Sequence, residues 1–85
     1  MPEISRFYGI AIFMNFNDHA PAHFHVWYGK YKATIEISTG VVTGKMPVRT
    51  LRMVSEWLDL HREKLLCNWN KTKCGEKLGK IEPLK

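Results

Sequence analysis

The sequence predicts an α+β fold: a small antiparallel β-meander of about four strands packed on one long C-terminal helix. Three features carry this expectation. Apolar-rich runs of strand length fill the first half of the chain. Gly29-Lys30, with the glycine first, suits a two-residue type II′ hairpin turn between two of those runs. From Pro47 to Gly75 large apolar residues recur at steps of three and four, the mark of a helix with one buried face.

Taken in order, Phe7–Phe16 reads as the first strand. Tyr8, Ile10, Ile12, Met14 and Phe16 give one unbroken apolar face, and Phe7, Gly9, Ala11, Phe13 and Asn15 a mixed one. The second and third strands run from about His23 to Tyr28 and from Tyr31 to Ile37. A two-residue turn at Gly29-Lys30 fixes their register. Tyr28 then opposes Tyr31, Val26 opposes Ala33 and Phe24 opposes Ile35 on an apolar side. On the other side Trp27 opposes Lys32, His25 opposes Thr34 and His23 opposes Glu36. A short fourth strand covers Val41 to about Thr43.

The helix starts near Pro47, since proline is welcome at a first helical position, and stops at Gly75. Leu51, Val54, Leu58, His61, Leu65 and Trp69 form its stripe, widened by Met53 and Trp57. Arg52/Glu56 and Asp59/Arg62 are oppositely charged at helical spacing on the outside. Leu78, Ile81 and Leu84 are spaced so that the Lys-rich tail docks on the body.

Eighty-five residues with 45% hydrophobic content make one globular domain, 1–85, with a modest core. Thirteen Lys and Arg against eight Asp and Glu give a net charge of +5, which suits phosphate-rich or acidic partners as well as a plain soluble surface. Two cysteines, Cys67 and Cys74, make no disulfide framework, and no secretory signal is visible, so reduced thiols in a cytoplasm are expected. The apolar run at Phe7–Phe16 is too short to span a bilayer, so no membrane partner is expected.

Polar chemistry concentrates in Asn17-Asp18-His19-Ala20-Pro21-Ala22-His23-Phe24-His25, which holds three of the four histidines. On a strand His23 and His25 project from the same face, about 7 Å apart, and Asp18, His19 and Pro21 fall in the turn before it. Several readings fit this pattern. The imidazoles can be ordinary polar strand residues, or line a partner interface. They can be an acid–base pair, catalytic residues His23 and His25 with Asp18 and Glu36 orienting them. They can also ligate a transition metal, as His19, His23 and His25 or with Asp18 in place of His19. The acid–base reading is preferred because Lys32 and the basic balance suit a phosphate more than a cation, so no cofactor is required, with a transition metal as the alternative.

Arg49 and Arg52, in the first turns of the helix, join Lys32 as candidate phosphate ligands, against a solvated helix face. His61 sits in the apolar stripe and reads as a core or interface histidine. Phe7 and Phe13 lie on the strand face that the helix leaves bare, which points to a homodimer or a second protein.

Met1-Pro2-Glu3-Ile4-Ser5-Arg6-Phe7-Tyr8-Gly9-Ile10, the Phe16-Asn17-Asp18-His19, Pro21 and His23-Phe24-His25 centre, and Glu56-Trp57-Leu58-Asp59-Leu60-His61-Arg62-Glu63 resemble a family of short bacterial proteins known only as a domain of unknown function. The resemblance spans nearly the whole chain. Its members share an N-D-H-x-P-x-H-F-H centre and a W-L-x-L-H-R helix. It implies a small partner in toxin–antitoxin-like gene pairs, interacting with a second small protein and with RNA, and carries no catalytic residues over. Ala22 and Trp27 stand where the family pattern leads one to expect Pro and Arg. The expectation is therefore a small basic protein acting on or near RNA, a metal-independent ribonuclease in its catalytic form. The alternative is a non-catalytic metal-binding or protein-interaction module.

Overall fold

The computed structural model describes residues 2–85. Five strands, β1 (Glu3–Phe7), β2 (Ile10–Phe13), β3 (His23–Tyr28), β4 (Tyr31–Glu36) and β5 (Val42–Gly44), form one antiparallel sheet in sequence order. One long helix, α1 (Val48–Cys74), packs on it, so the α+β meander-and-helix arrangement holds.

The extra strand comes from the run read as a single strand at Phe7–Phe16. It folds back at Tyr8-Gly9, both at positive φ (49° and 77°), the signature of a type I′ hairpin turn. Asn, Asp or Gly normally occupies the first central position of such a turn, and tyrosine there sends no turn signal. The reversal redistributes the apolar residues. Phe7 pairs with Ile10 and enters the core, its ring 5.5 Å from that of Trp57. The expectation that Phe7 faces a partner on the bare side of the sheet is thereby overturned. Tyr8 and Phe16, expected on one buried face, are exposed, because one lies in the turn and the other beyond the end of β2. Phe13 does remain on the bare face, half-buried against Trp27 at 4.8 Å.

The β3–β4 register is the expected one at every position, from Tyr28 opposite Tyr31 to His23 opposite Glu36. Gly29 takes the positive φ (56°) that a type II′ turn demands. Phe24, Val26 and Ile35 consequently face α1 and are fully buried, while His25 and Trp27 face away. β5 begins one residue later than expected and ends on Gly44 at φ 109°. A Cβ there would lie 2.7 Å from the Lys32 carbonyl oxygen and 3.0 Å from Ala33 Cα, so only glycine lets β5 approach β4.

Pro47 immediately precedes α1 and Gly75, left-handed at φ 70°, follows it. Trp57 is the hub: fully buried, it meets Phe7 and Phe24 and donates its indole N–H to the Glu82 carbonyl at 2.8 Å. Val54, Leu58, Leu65 and Trp69 are buried as the stripe requires, and Thr50, Asn68 and Thr72 extend that face. Asn68 explains why the tail docks. Its side-chain amide donates to the Gly79 carbonyl (2.8 Å) and its oxygen accepts the Gly79 N–H (3.1 Å). Ile81 then buries its side chain and donates its N–H to Ile4. No helix of the described residues is long and apolar enough to cross a membrane.

His61 interrupts α1 with non-helical angles (φ −125°, ψ 20°) and lies half-buried with its ring 5.7 Å from Trp57. Beside it Arg62 donates to the Ile37 carbonyl (2.9 Å) and pairs with Asp59 (3.1 Å).

Gly44→Ala should cost roughly 2 kcal/mol or more, because a disallowed φ and a backbone clash add. Gly9→Ala, where the nearest atom is 3.7 Å away on the Tyr28 ring, should cost less. Chemical denaturation of both variants ranks the two; equal losses would refute the close β4–β5 contact. Burial and the nearby Lys64 charge lower the His61 pKa below its ordinary 6.5, with Glu82 opposing. A depressed imidazole pKa means the folded protein binds fewer protons than the unfolded chain. Its stabilising contribution is therefore complete above pH 6.5 and fades as pH falls through the lower folded value. Relative to His61→Gln, the wild type should lose stability more steeply below pH 6.5, and parallel stability–pH curves would count against it.

Candidate functional site

The segment between β2 and β3 folds back over the start of β3. Asn17 takes a left-handed conformation (φ 53°), which asparagine tolerates, and the next residue turns its side chain inward. Asp18 Oδ1 accepts the backbone N–H of His19 at 2.9 Å, fixing the carboxylate. Asp18 Oδ2 is thereby aimed at the two imidazoles that strand alternation places on one face. It lies 3.0 Å from His23 Nε2 and 3.1 Å from His25 Nε2. The two rings stand edge to face, centroids 5.2 Å apart. One donor atom each from Asp18, His23 and His25 falls within 4.8 Å of the others.

The surroundings hold this cluster firmly. His23 Nδ1 lies 2.8 Å from the Pro21 carbonyl oxygen, which can only accept, so that nitrogen carries a proton and Nε2 is left to face Asp18. The Trp69 ring, from the far end of α1, packs 5.2 Å from His23 and leaves it buried. Lys73 lies over the Trp69 ring and donates to the Asp18 carbonyl oxygen, tying the helix to the segment. Asn15 Nδ2 stands 3.2 Å from His25 Nε2. Burial acts to raise the Asp18 pKa, but hydrogen bonds from His25 and the His19 N–H, with the charge and hydrogen bond of His23, outweigh it. The carboxyl is held well below the usual carboxylate range.

The other expected residues are placed unevenly. His19 Nδ1 contacts the opposite Asp18 oxygen, Oδ1, at 3.0 Å from a solvent-exposed position. Glu36 opposes His23 and lines the same cleft, yet its carboxylate accepts from the hydroxyls of Thr39 (2.5 Å) and Ser38 (3.4 Å) and not from an imidazole. That cleft holds about 300 Å³ and is walled by His19, His25, Thr34, Glu36 and Thr43. Lys32 lies further along the face, its Nζ 4.5 Å over the Trp27 ring. A shallower cleft beside Trp27 and Lys32 shares His25, Thr34 and Thr43 with the first, so one groove runs along the bare face of the sheet. Arg49 and Arg52 are not brought to it. Arg49 lines a separate cleft with Tyr8 and Tyr28, at the opposite end of β3 from His23, about 17 Å along the strand. Arg52 is exposed on α1.

Asn15, Trp69 and Lys73 escaped sequence reasoning as site residues. In the sequence Asn15 belongs to the mixed face of the first strand, Trp69 is one more member of the core stripe, and Lys73 is a helical lysine with no pattern to single it out. Only the folding of the helix end against the segment before β3 gives them a part.

No curated protein and no solved structure matches the chain. The family model described as Domain of unknown function (DUF4160) matches residues 9–70, which takes in β2 to β5, the whole histidine segment and most of α1. The chain belongs to that family.

Proposed function

We propose that this protein acts on single-stranded RNA, with Asp18, His23 and His25 as its reactive centre, as the small basic member of a toxin–antitoxin-like pair. The observation that carries the RNA reading is the continuity of the groove from Trp27 and Lys32 to the histidines. Trp27 offers an indole at the surface, backed by Phe13, on which a base can stack. Lys32 is free to swing from its ring contact to a phosphate, since an exposed cation–π contact contributes only about 0.5–1 kcal/mol. The net charge of +5 draws a polyanion to the surface. RNA also brings its own nucleophile, the 2′-hydroxyl. A centre made of two imidazoles and a carboxylate then has only to move protons or stabilise charge. The pairing with a second small protein rests on the resemblance of the sequence motifs, and exposed Leu60 and Leu66 on the outer face of α1 offer it a surface.

Stacking on an aromatic side chain typically contributes about 1–3 kcal/mol per base. Trp27→Ala should therefore weaken binding of a short single-stranded RNA roughly 5- to 150-fold in a fluorescence-anisotropy titration. His25→Ala should abolish cleavage while leaving most of that binding. If wild type and Trp27→Ala bind RNA alike, or neither binds, the RNA reading fails, and a protein-interaction module centred on the helix face becomes the better account.

A further inference from the structure

From the arrangement of donors we infer that Asp18, His23 and His25 bind one divalent transition-metal ion, with the side chain of Asn15 as a fourth donor. This deepens the reading of the centre given above. A role for the ion in RNA chemistry rests on that reading, whereas its occupancy does not.

His23 imposes the first constraint. Its Nδ1 proton is committed to the Pro21 carbonyl, so a neutral ring presents a bare lone pair at Nε2, 3.0 Å from a carboxylate oxygen. Two lone pairs do not face each other at that distance without positive charge between them. His25 Nε2 faces the same carboxylate oxygen at 3.1 Å, with the Asn15 amide at 3.2 Å, so two ring nitrogens converge on Asp18 Oδ2. Protons answer both contacts only with His23 as an imidazolium and both Nε2–H groups crowded onto one carboxylate oxygen. One dication answers both.

The distances suit it. Ligand atoms each about 2.1 Å from an ion are about 3.0 Å apart at a right angle and about 3.4 Å apart at a tetrahedral angle. The two Asp18–imidazole separations, 3.0 and 3.1 Å, fall in that range. All three donors lie within 4.8 Å, so a modest rotamer adjustment, closing the imidazole pair by up to about 1.4 Å, brings it to the tetrahedral separation. The Asn15 amide, whose oxygen and nitrogen exchange places on a half-turn of the group, offers its oxygen 3.2 Å from His25 Nε2. The Pro21 carbonyl on His23 Nδ1 is the kind of outer partner that orients metal-binding imidazoles.

Donor chemistry sets the class of ion. Two imidazole nitrogens with carboxylate and amide oxygens suit zinc, iron, cobalt, nickel or manganese; the all-oxygen shells of calcium and magnesium are absent from this cluster, as are thiolates. Cys67 and Cys74 lie exposed on α1 and outside the cluster. His23 and His25 both line the cleft that Thr34, Glu36 and Thr43 share, so a substrate oxygen entering it would approach an ion held there.

Also excluded is a simple division of labour between a free acid and a free base. Both rings line the cleft, but both Nε2 atoms already point at one carboxylate oxygen, so neither presents a free Nε2 to a substrate.

The test uses full-length protein stripped with EDTA and titrated with Co²⁺ and with Zn²⁺, without RNA. The expected result is saturation at one ion per chain, visible d–d absorption for Co²⁺ and a raised melting temperature. His25→Gln, half-exposed and so the mildest ligand change, should weaken binding at least 100-fold, and Asn15→Ala about tenfold. His61→Gln should bind as the wild type does. Circular dichroism establishes that each variant is folded. Absence of binding by the wild type at micromolar ion, or unchanged affinity in folded His25→Gln, would overturn the site in favour of a proton-held His23–Asp18 pair. A bound ion with no RNA cleavage leaves the site standing and defeats only the RNA reading. Cleavage that survives EDTA defeats the catalytic use of the ion.

Discussion

The register of β3 against β4 decides which residues of this chain can do chemistry. Side chains alternate along a strand, so a slip of one residue would put His25 and Trp27 under the helix and Phe24 and Val26 in water. Gly29 prevents the slip by supplying the positive φ of a two-residue turn, and six cross-strand pairs follow from it. The apolar set then meets Trp57, and the polar set is left on the opposite face. Core and site are two faces of one constraint.

That constraint leaves an unusual division of duties for the helix. Its middle seals the core through Trp57, where loss of a buried tryptophan typically costs about 3–5 kcal/mol, a large part of the 5–15 kcal/mol that holds a small domain folded. Its last turns serve the site, where Trp69 walls His23 and Lys73 holds the Asp18 carbonyl. The His61 irregularity lies between these two parts. The C-terminal tail adds a further layer by crossing back to Ile4 and to the Trp57 indole. A chain with few residues to bury thus uses its C-terminal third twice, once as core and once as support for a polar centre.

How far the molecule was legible in its residues depends on the range of the forces involved. The hairpin at Gly29-Lys30 and the helix stripe are local patterns, and both were readable with their registers. The Tyr8-Gly9 reversal was not, because tyrosine in a left-handed turn runs against intrinsic preference and is held there by tertiary packing, with Phe7 drawn into the core by Trp57. At the site, strand periodicity put His23 and His25 together. Periodicity has nothing to say about a turn residue, so Asp18 and His19 remained interchangeable until the segment folded back and Asp18 alone reached both rings. Glu36 illustrates the opposite case. Its position across from His23 was readable, but its partners, Thr39 and Ser38, come from the following turn and draw its carboxylate away.

The energetics of the centre point the same way as its geometry. Three polar groups brought together with little solvent around them are costly unless each finds a partner of opposite character. The backbone meets part of that need: Pro21 takes the proton of one imidazole and the His19 N–H binds one carboxylate oxygen. The remaining polar atoms are directed inward, toward the point shared by Asp18 Oδ2 and the two Nε2 atoms. A site evolved only to rigidify the sheet would be expected to close that point with apolar packing, since replacing buried ionic groups by hydrophobic ones is often neutral or stabilising. Here the sheet face beside it stays bare, grooved and lined with hydroxyls, and only the last turns of the helix reach the centre, at His23 and the Asp18 carbonyl. The fold gives up one face of burial to keep these three donors convergent and within reach of solvent.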